Sequence, residues 1–387
     1  MYGLSINSLP FHKNMNTTTE HKPTIFEITE AVGVYRMPVL STLNFTSKAI
    51  RAFDIQQKPA PLFLELNLAA PCQMACQYCF TESAKPLNDR TFNIREVDKH
   101  ALLTKQTQHL SVSEISEAML QFADLGGRVI FLCSEGEVIL KRDSCEKLAQ
   151  EAKNLNLGLI FFTNMRALTE DYAIVLKELN VNLSLKLESL SPEVNNKLIP
   201  GKTKQYEYKY TKYKNLCIPE QLNTLLNVYR QDLSMLGLSS TVTALNVKDI
   251  IDVRKFAYDY GMQHMIKGLH FDGYAENNVT QLRVSSKNIK EFEDQITKLD
   301  VSHGYSCPRQ NYGEDNQHSY DIRTWLNFKR SFATRMPAKV ITNQAGAFCE
   351  WKGFFVSIRD QAGVVDLSRM FRKLSELSEA DDGYANH

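Results

Sequence analysis

Three cysteines, Cys72, Cys76 and Cys79, fall within eight residues of the stretch LELNLAAPCQMACQYCFTES, directly after an apolar run. Three thiolates on one short loop can be aimed at a single inorganic centre. Three readings of that centre compete. A structural zinc ion takes four ligands, so this loop would need a distant fourth. An electron-transfer iron–sulfur cluster also normally takes four cysteines. A cubane held by three thiolates leaves one iron open, and an open iron is a place for chemistry. Cysteines buried only for packing have no reason to cluster in a loop.

The elements that position this loop are legible on either side of it. LFLELNLA, immediately upstream, reads as a buried strand. RVIFLCSE, LGLIFFTNM, VNLSLKLES, LSSTVTALN and QHMIKGLHF read as five more, each rich in β-branched or bulky apolar residues. Helical patterns fall between them. One begins at Ser111 with Glu114 in capping-box spacing, carries Ile115, Met119 and Phe122 on one face and ends at Gly126. A second starts at Thr169, and a third runs from Asn246 to Gly261. Strands alternating with helices predict an α/β fold with parallel pairing. Six such strands make either an open sheet or a partial barrel, and periodicity does not separate the two. In both, ligands gather at the carboxyl ends of strands, which is where the cysteines stand.

Composition sets outer limits. The chain has 387 residues, 43% of them hydrophobic, enough for one large α/β domain with extensions. Its 45 basic and 44 acidic residues give a formal charge of +1, which carries no footprint of a nucleic-acid or anionic-membrane partner. No apolar run is long enough to span a bilayer, and the first residues lack the apolar core of a signal peptide. The expected compartment is the reducing cytoplasm, where eight cysteines are free thiols or metal ligands.

The cysteine stretch resembles the radical SAM superfamily through CQMACQYC at 72–79, with aromatic Tyr78 just before the last cysteine. Further elements follow in the family's order. Glu135-Gly136-Glu137, after the second strand, occupy the place of a Gly-Gly-Glu element, with glutamate for the first glycine. Thr163-Asn164 match a recurrent Thr-Asn element. LSLKLESLSPEV ends the fourth strand where relatives commonly read Ser-Leu-Asp. These parts span roughly Pro61 to Gly273, and their order makes the set strong.

The resemblance implies a partial (β/α)6 TIM-like barrel with an N-terminal extension at 1–56, a barrel at 57–275 and a C-terminal cap at 276–387. Insertions fall at about 80–110 and 190–237. It implies one 4Fe–4S cluster on Cys72, Cys76 and Cys79, and S-adenosylmethionine chelated to the open iron. Reductive cleavage then gives a 5′-deoxyadenosyl radical that abstracts hydrogen from a small-molecule or peptide substrate, with flavodoxin or ferredoxin as electron donor. Cofactor contacts are expected from Tyr78 against adenine, from Ser134, Glu135, Gly136 and Glu137 around the methionine ammonium, and from Asn164. Glu188 is expected on the ribose hydroxyls, and Lys186 on the methionine carboxylate or the substrate; a Lys–Glu ion pair is the competing reading. Thr243, or its neighbours Thr241 and Asn246, would meet the adenosyl group, although Asn246 serves equally as a helix cap. Lys267 and His270 are substrate-side candidates.

Two other stretches bear on function. KTKQYEYKYTKYK interleaves lysine with tyrosine and reads as a solvated loop or hairpin, or as a lid over substrate. The tail GAFCEWKGFFVSIRDQAGVVDLSRMF resembles a degraded SPASM or twitch extension. Cys307 and Cys349 alone cannot supply a second cluster, so one cluster and a lid-like tail are expected. Cys217, Cys307 and Cys349 are candidates for donating hydrogen to a substrate radical. The net reaction would be an epimerisation, dehydrogenation, cross-linking or rearrangement in natural-product tailoring. The alternatives are a SPASM-type ribosomal peptide maturase with an auxiliary cluster, or a non-catalytic metal or electron-transfer module.

Overall fold

A computed structural model of the chain describes residues 40–42, 63–79, 110–134, 136–210, 216–269, 273–304, 339–343, 346–349 and 354–380. Its centre is a run of six parallel strands: β1 (Phe63–Asn67), β2 (Val129–Cys133), β3 (Gly158–Thr163), β4 (Val181–Lys186), β7 (Leu236–Thr241) and β8 (Gln263–Lys267). Each pairs in parallel with the next, in chain order. Helices α1 (Val112–Asp124), α2 (Arg142–Asn154), α3 (Glu170–Glu178), α4 (Pro192–Leu198), α5 (Glu220–Val228) and α6 (Ile250–Asp259) fall between them. This is the α/β fold that the alternating pattern predicts, in the partial-barrel form that the family resemblance implies.

Alternation along the strands explains the layering. Leu64, Leu66, Ile130, Leu132, Phe161 and Leu185 join the helices in the main apolar core. The intervening residues face the other way and are also buried, but many are polar, among them Glu65, Asn67, Ser184, Ser239 and Thr241. A strand face that is buried yet polar must find partners inside the fold or in a ligand. On the helical side α1 buries Ile115, Ala118, Met119 and Phe122. Its capping box is present: Glu114 N–H donates to Ser111 Oγ, and Ser111 N–H donates to Glu114 Oε2. Thr169 is the N-cap of α3, but its hydroxyl turns to Asp171 and not to the backbone.

The strand floor is closed from upstream. Leu40 and Thr42 are buried. Ser41 Oγ and Thr42 N–H both donate to Asn182 Oδ1, at 3.0 and 3.2 Å. A Cβ at Gly158 would stand 1.9 Å from Thr42 Oγ1, and one at Gly237 would stand 3.2 Å from Leu40. Asn182, Gly158 and Gly237 all lie at the amino ends of their strands, so residues 40–42 seat where these strands begin.

Two parts depart from the expected plan. The helix expected from Asn246 begins at Ile250, because residues 246–249 form a turn whose N–H groups bond backward. The described strands from Lys339 onward extend the flank of the sheet, an arrangement the expected C-terminal cap at 276–387 did not include. β9 (Lys339–Asn343) pairs in parallel with β1, and β10 (Gly346–Cys349) and β11 (Phe354–Ser357) continue outward in antiparallel sense. The physical reason is the open edge of β1, whose backbone groups need a partner. Arg359 grips Glu114 with two bonds of 2.5 and 3.0 Å. The Gln121 amide bonds Val365 O and Leu367 N, fixing the start of α9 (Leu367–Ala380) against α1.

Helices α7 (Val279–Leu282) and α8 (Ser286–Ser302) follow β8. A buried ion pair clips α8 to the barrel. Arg254 Nε and Nη2 donate to Asp300 at 3.1 and 3.0 Å, Nη1 donates to the His264 carbonyl at 2.7 Å, and both ionic residues are fully buried. No helix of the described residues is long and apolar enough to cross a membrane.

Candidate metal centre and its surroundings

The three cysteines occupy the loop that leaves the carboxyl end of β1. The loop is held by backbone. Ala75 N–H donates to Pro200 O at 2.8 Å, Gln77 N–H to Leu198 O at 3.0 Å, and Lys202 N–H to Gln73 O at 2.9 Å. The segment that follows α4 thus runs antiparallel to the cysteine loop, with Met74 and Gly201 bridged. The expected hairpin is there as well: β5 (Tyr208–Tyr210) pairs with β6 (Cys217–Pro219). Tyr206 and Tyr208 turn inward. Tyr206 Oη donates to Asn164 O at 2.7 Å, and Asn195 Nδ2 donates to Tyr208 Oη at 2.8 Å.

All three thiols are partly exposed. Burial raises the Cys72 thiol to about 11, partly opposed by the Met74 N–H on its sulfur at 3.5 Å. Cys76 is raised well above its ordinary range by burial first, and then by the charges of Cys79 and Cys72. Three mutually repelling thiolates ionise together only against a strong cation. Among the described residues no three His, Cys, Asp or Glu side chains converge closely enough to hold one metal ion. A cubane asks for a wider arrangement, since each thiolate takes a different iron. Buried Gln73 Oε1, Gln77 Oε1 and Arg166 Nη1 have no protein partner. A thiol trio on a braced loop, with orphaned polar atoms on that loop and beside it, fits a cluster and a polar cofactor.

Glu137 ties three strand ends together. Its N–H donates to Pro71 O at 2.8 Å, fixing it to the cysteine loop. Its carboxylate accepts from Asn164 N at 2.6 Å and from Ile139 N at 3.4 Å. Burial pushes its pKa up to about 7, against the pull of Thr163, Asn164 and Ile139. Gly136 is required beside it, because a Cβ there would stand 2.2 Å from Ala70 O. Ser134 Oγ accepts from Gly136 N at 2.9 Å. Glu135 lies outside the described residues.

Glu188 is the second hub and is fully buried. Oε1 accepts from Tyr78 Oη at 2.6 Å and pairs with Lys186 Nζ at 3.1 Å. Oε2 accepts from Thr241 N at 2.8 Å and from Asn246 Nδ2 at 3.1 Å. A carboxylate has about four acceptor positions. All four are taken by protein donors here, including the Lys186 ammonium of the ion pair, so a ribose hydroxyl reaching Glu188 would have to displace one of them. Lys186 also donates to Thr241 Oγ1 at 2.9 Å and lies 4.7 Å from the Tyr78 ring centroid. It therefore covers the aromatic surface expected for adenine.

Thr243 lies in a turn beyond β7. Strand β7 ends at Thr241, and the Thr243 N–H and hydroxyl both bond Asn246 Oδ1 at 2.8 Å. Thr243 is fully buried in that turn. Asn246 braces Glu188 in place of capping a helix. Its signal in the sequence was a buried-looking Asn after a strand, which a cap explains equally well.

The remaining candidates spread out. Lys267 ends β8 with its ammonium 4.8 Å from the Phe162 ring centroid, and Phe162 in turn packs on Phe131. Cys217 opens β6 opposite Tyr210. Cys349 lies in β10, two strands out from β1. Cys307 and His270 lie outside the described residues. Tyr206 and Arg166 were missed by sequence reading; the tyrosine alternation at 206, 208 and 210 was the available signal for the hairpin.

No curated protein matches the sequence. The chain is similar in fold to Streptococcus suis SuiB bound to S-adenosylmethionine, at 10% identity and a TM-score of 0.49 over 82% of this chain and 66% of that one. Against SuiB bound to the precursor peptide SuiA the values are 12% and 0.44, over 68% and 52%. Escherichia coli coproporphyrinogen III oxidase (HemN), described as a radical SAM enzyme, gives 11% and 0.45 over 86% and 73%. The chain thus spans between 52% and 66% of SuiB. The family model for the radical SAM superfamily matches residues 66–227, which takes in the cysteine loop, Glu137, Asn164 and Glu188, and this part of the chain is a radical SAM domain.

Proposed function

We propose that this chain is a radical SAM enzyme that abstracts hydrogen from an organic substrate, either a small molecule or a peptide, held over the carboxyl ends of the strands. The observation that carries this is the trio Cys72, Cys76 and Cys79 on a braced loop at the end of β1, inside a domain of that superfamily. Cys72, Cys76 and Cys79 would hold one 4Fe–4S cluster. When bound, it supplies the electron for reductive cleavage of S-adenosylmethionine.

The protein's own residues position and exclude. Glu137 holds the loop after β2 against the cysteine loop and the end of β3, so a methionine group there meets fixed backbone. Glu188 locks Tyr78 and Lys186 in one arrangement. Lys186, whose ammonium keeps one donor position beyond Glu188 and Thr241, can reach an anionic group. Phe162, tilted against Phe131 and with the Lys267 ammonium over its ring, would offer an aromatic surface and a cation to the substrate side.

The test is anaerobic reconstitution followed by incubation with S-adenosylmethionine and dithionite. About four irons per chain and formation of 5′-deoxyadenosine are expected, as one cubane requires. Cys72→Ala, Cys76→Ala and Cys79→Ala should each abolish the product. A colourless zinc protein, or full activity in any one of these variants, overturns the reading. Iron near eight per chain would return it to the auxiliary-cluster enzymes.

A further inference from the structure

Asn164 is fixed at three of its polar groups by four bonds. Its N–H donates to Glu137 Oε2 at 2.6 Å, and its carbonyl accepts from Tyr206 Oη at 2.7 Å. Its side-chain Oδ1 accepts from Arg166 N at 3.0 Å and from Gln73 Nε2 at 3.2 Å. The next residue, Met165, is buried in a left-handed conformation at φ 57°, which turns the chain so that Arg166 N–H reaches back to Asn164. A backbone N–H can only donate. The amide orientation is therefore dictated: Oδ1 faces Arg166, and Nδ2 faces away from it. Nδ2 lies 4.0 Å from Cys72 Sγ, the long end of contact for a sulfur acceptor. The same sulfur already receives Met74 N–H at 3.5 Å.

We infer that Asn164 is a positioning residue whose side-chain amide donates to the Cys72 sulfur and so raises the reduction potential of the cluster held there. The inference rests on the reading of Cys72, Cys76 and Cys79 as cluster ligands. The physical ground is that a reduced cluster carries more negative charge on its thiolate sulfurs, and an N–H dipole aimed at one of them stabilises that charge. This differs from the contact with S-adenosylmethionine expected of Asn164 from the sequence. Its amide is turned to the metal ligand, and its backbone N–H joins that ligand's neighbourhood to Glu137. Rigidity matters, because a donor clamped at its other groups does not swing away as the charge on sulfur changes.

The experiment uses the full-length reconstituted protein without substrate. Asn164→Leu should retain about four irons and shift the midpoint potential to a more negative value in an EPR-monitored redox titration. In wild-type protein carrying asparagine labelled with ¹⁵N in the side-chain amide, the reduced cluster should show a ¹⁵N hyperfine coupling by pulsed EPR. A role limited to structure would lower iron content or thermal stability and leave that coupling absent. An unchanged potential at full iron content overturns the inference. If the leucine variant fails to load iron, the labelled wild type decides: coupling present supports the donor, and coupling absent removes it. Wild-type protein that forms no cluster at all sinks the cluster reading and this inference together, whereas a cluster with no amide coupling sinks only this one.

Discussion

Tyr78 Oη donates to Glu188 Oε1 at 2.6 Å, which bolts the cysteine loop after β1 to the end of β4 across the inside of the barrel. The bond joins a buried phenol to a buried carboxylate. Burial, and then the charge of Glu188, hold the phenol well above its usual range, so it stays a donor. A hydrogen bond to a buried charge contributes about 1.5–3 kcal/mol. Tyr78→Phe should lower the unfolding free energy of the metal-free protein by that amount in urea titration. A loss under about 0.5 kcal/mol, the range of an ordinary surface change, would show that Glu188 does not depend on it.

Glu137 gives a pH signature. Its carboxyl sits at about 7 in the fold, against an ordinary 4.5, with burial the largest cause. Between those values the folded protein holds a proton that the unfolded chain has released. Stability therefore falls as pH rises through that window, by at most about 3.5 kcal/mol at about 1.4 kcal/mol per unit. Melting temperatures of metal-free wild type and Glu137→Gln, measured from pH 4 to 8, should diverge. The wild type should lose ground to the variant toward pH 7. Parallel curves would mean that Glu137 ionises normally.

The Arg254–Asp300 pair is expected to be costly to break and cheap to replace. Asp300→Leu alone leaves a guanidinium buried beside Tyr258 and the His264 carbonyl. Removing one partner of such a pair costs about 3–5 kcal/mol, while exchanging both for apolar groups is often neutral. The double change Arg254→Met with Asp300→Leu should regain most of the loss in chemical denaturation. Equal damage in the single and double variants would show that the pair contributes more than mutual neutralisation.

The floor of the barrel supplies a steric test. Gly158→Ala places a methyl where Thr42 Oγ1 now stands, and overpacking of this kind costs about 1–3 kcal/mol. Adding Thr42→Ala removes the hydroxyl and should recover part of that loss. Non-additivity between two positions this far apart in sequence, read as a coupling energy, would confirm the seat of residues 40–42; strict additivity would refute it.

Much of this architecture was legible because its signals are local. Six apolar strands, the Ser111–Glu114 cap and the cysteine spacing each sit within a few residues, and the fold reproduces them. What escaped depends on distant partners. Thr241-Val242-Thr243 alternates as a strand should, yet the strand stops at Thr241 because Asn246 takes both polar groups of Thr243. Lys186 and Glu188 were legible as a pair facing inward. That four protein donors would saturate Glu188 could not be read, since Tyr78 arrives from the cysteine loop and Thr241 and Asn246 from the end of β7. Parallel pairing of β9 with β1 leaves no local trace either, because such pairs need long connections.

The brace on the cysteine loop orders events during synthesis. Gln73, Ala75 and Gln77 take their backbone partners from Lys202, Pro200 and Leu198. On the ribosome the three thiols emerge long before those partners do, and α1, α2 and α3 with their strands must follow first. Throughout that interval the thiols sit on an unsupported strand of chain, open to oxygen and to stray metals. If these thiols hold the proposed cluster, its insertion into the braced loop would have to wait for residues 198–202 to emerge.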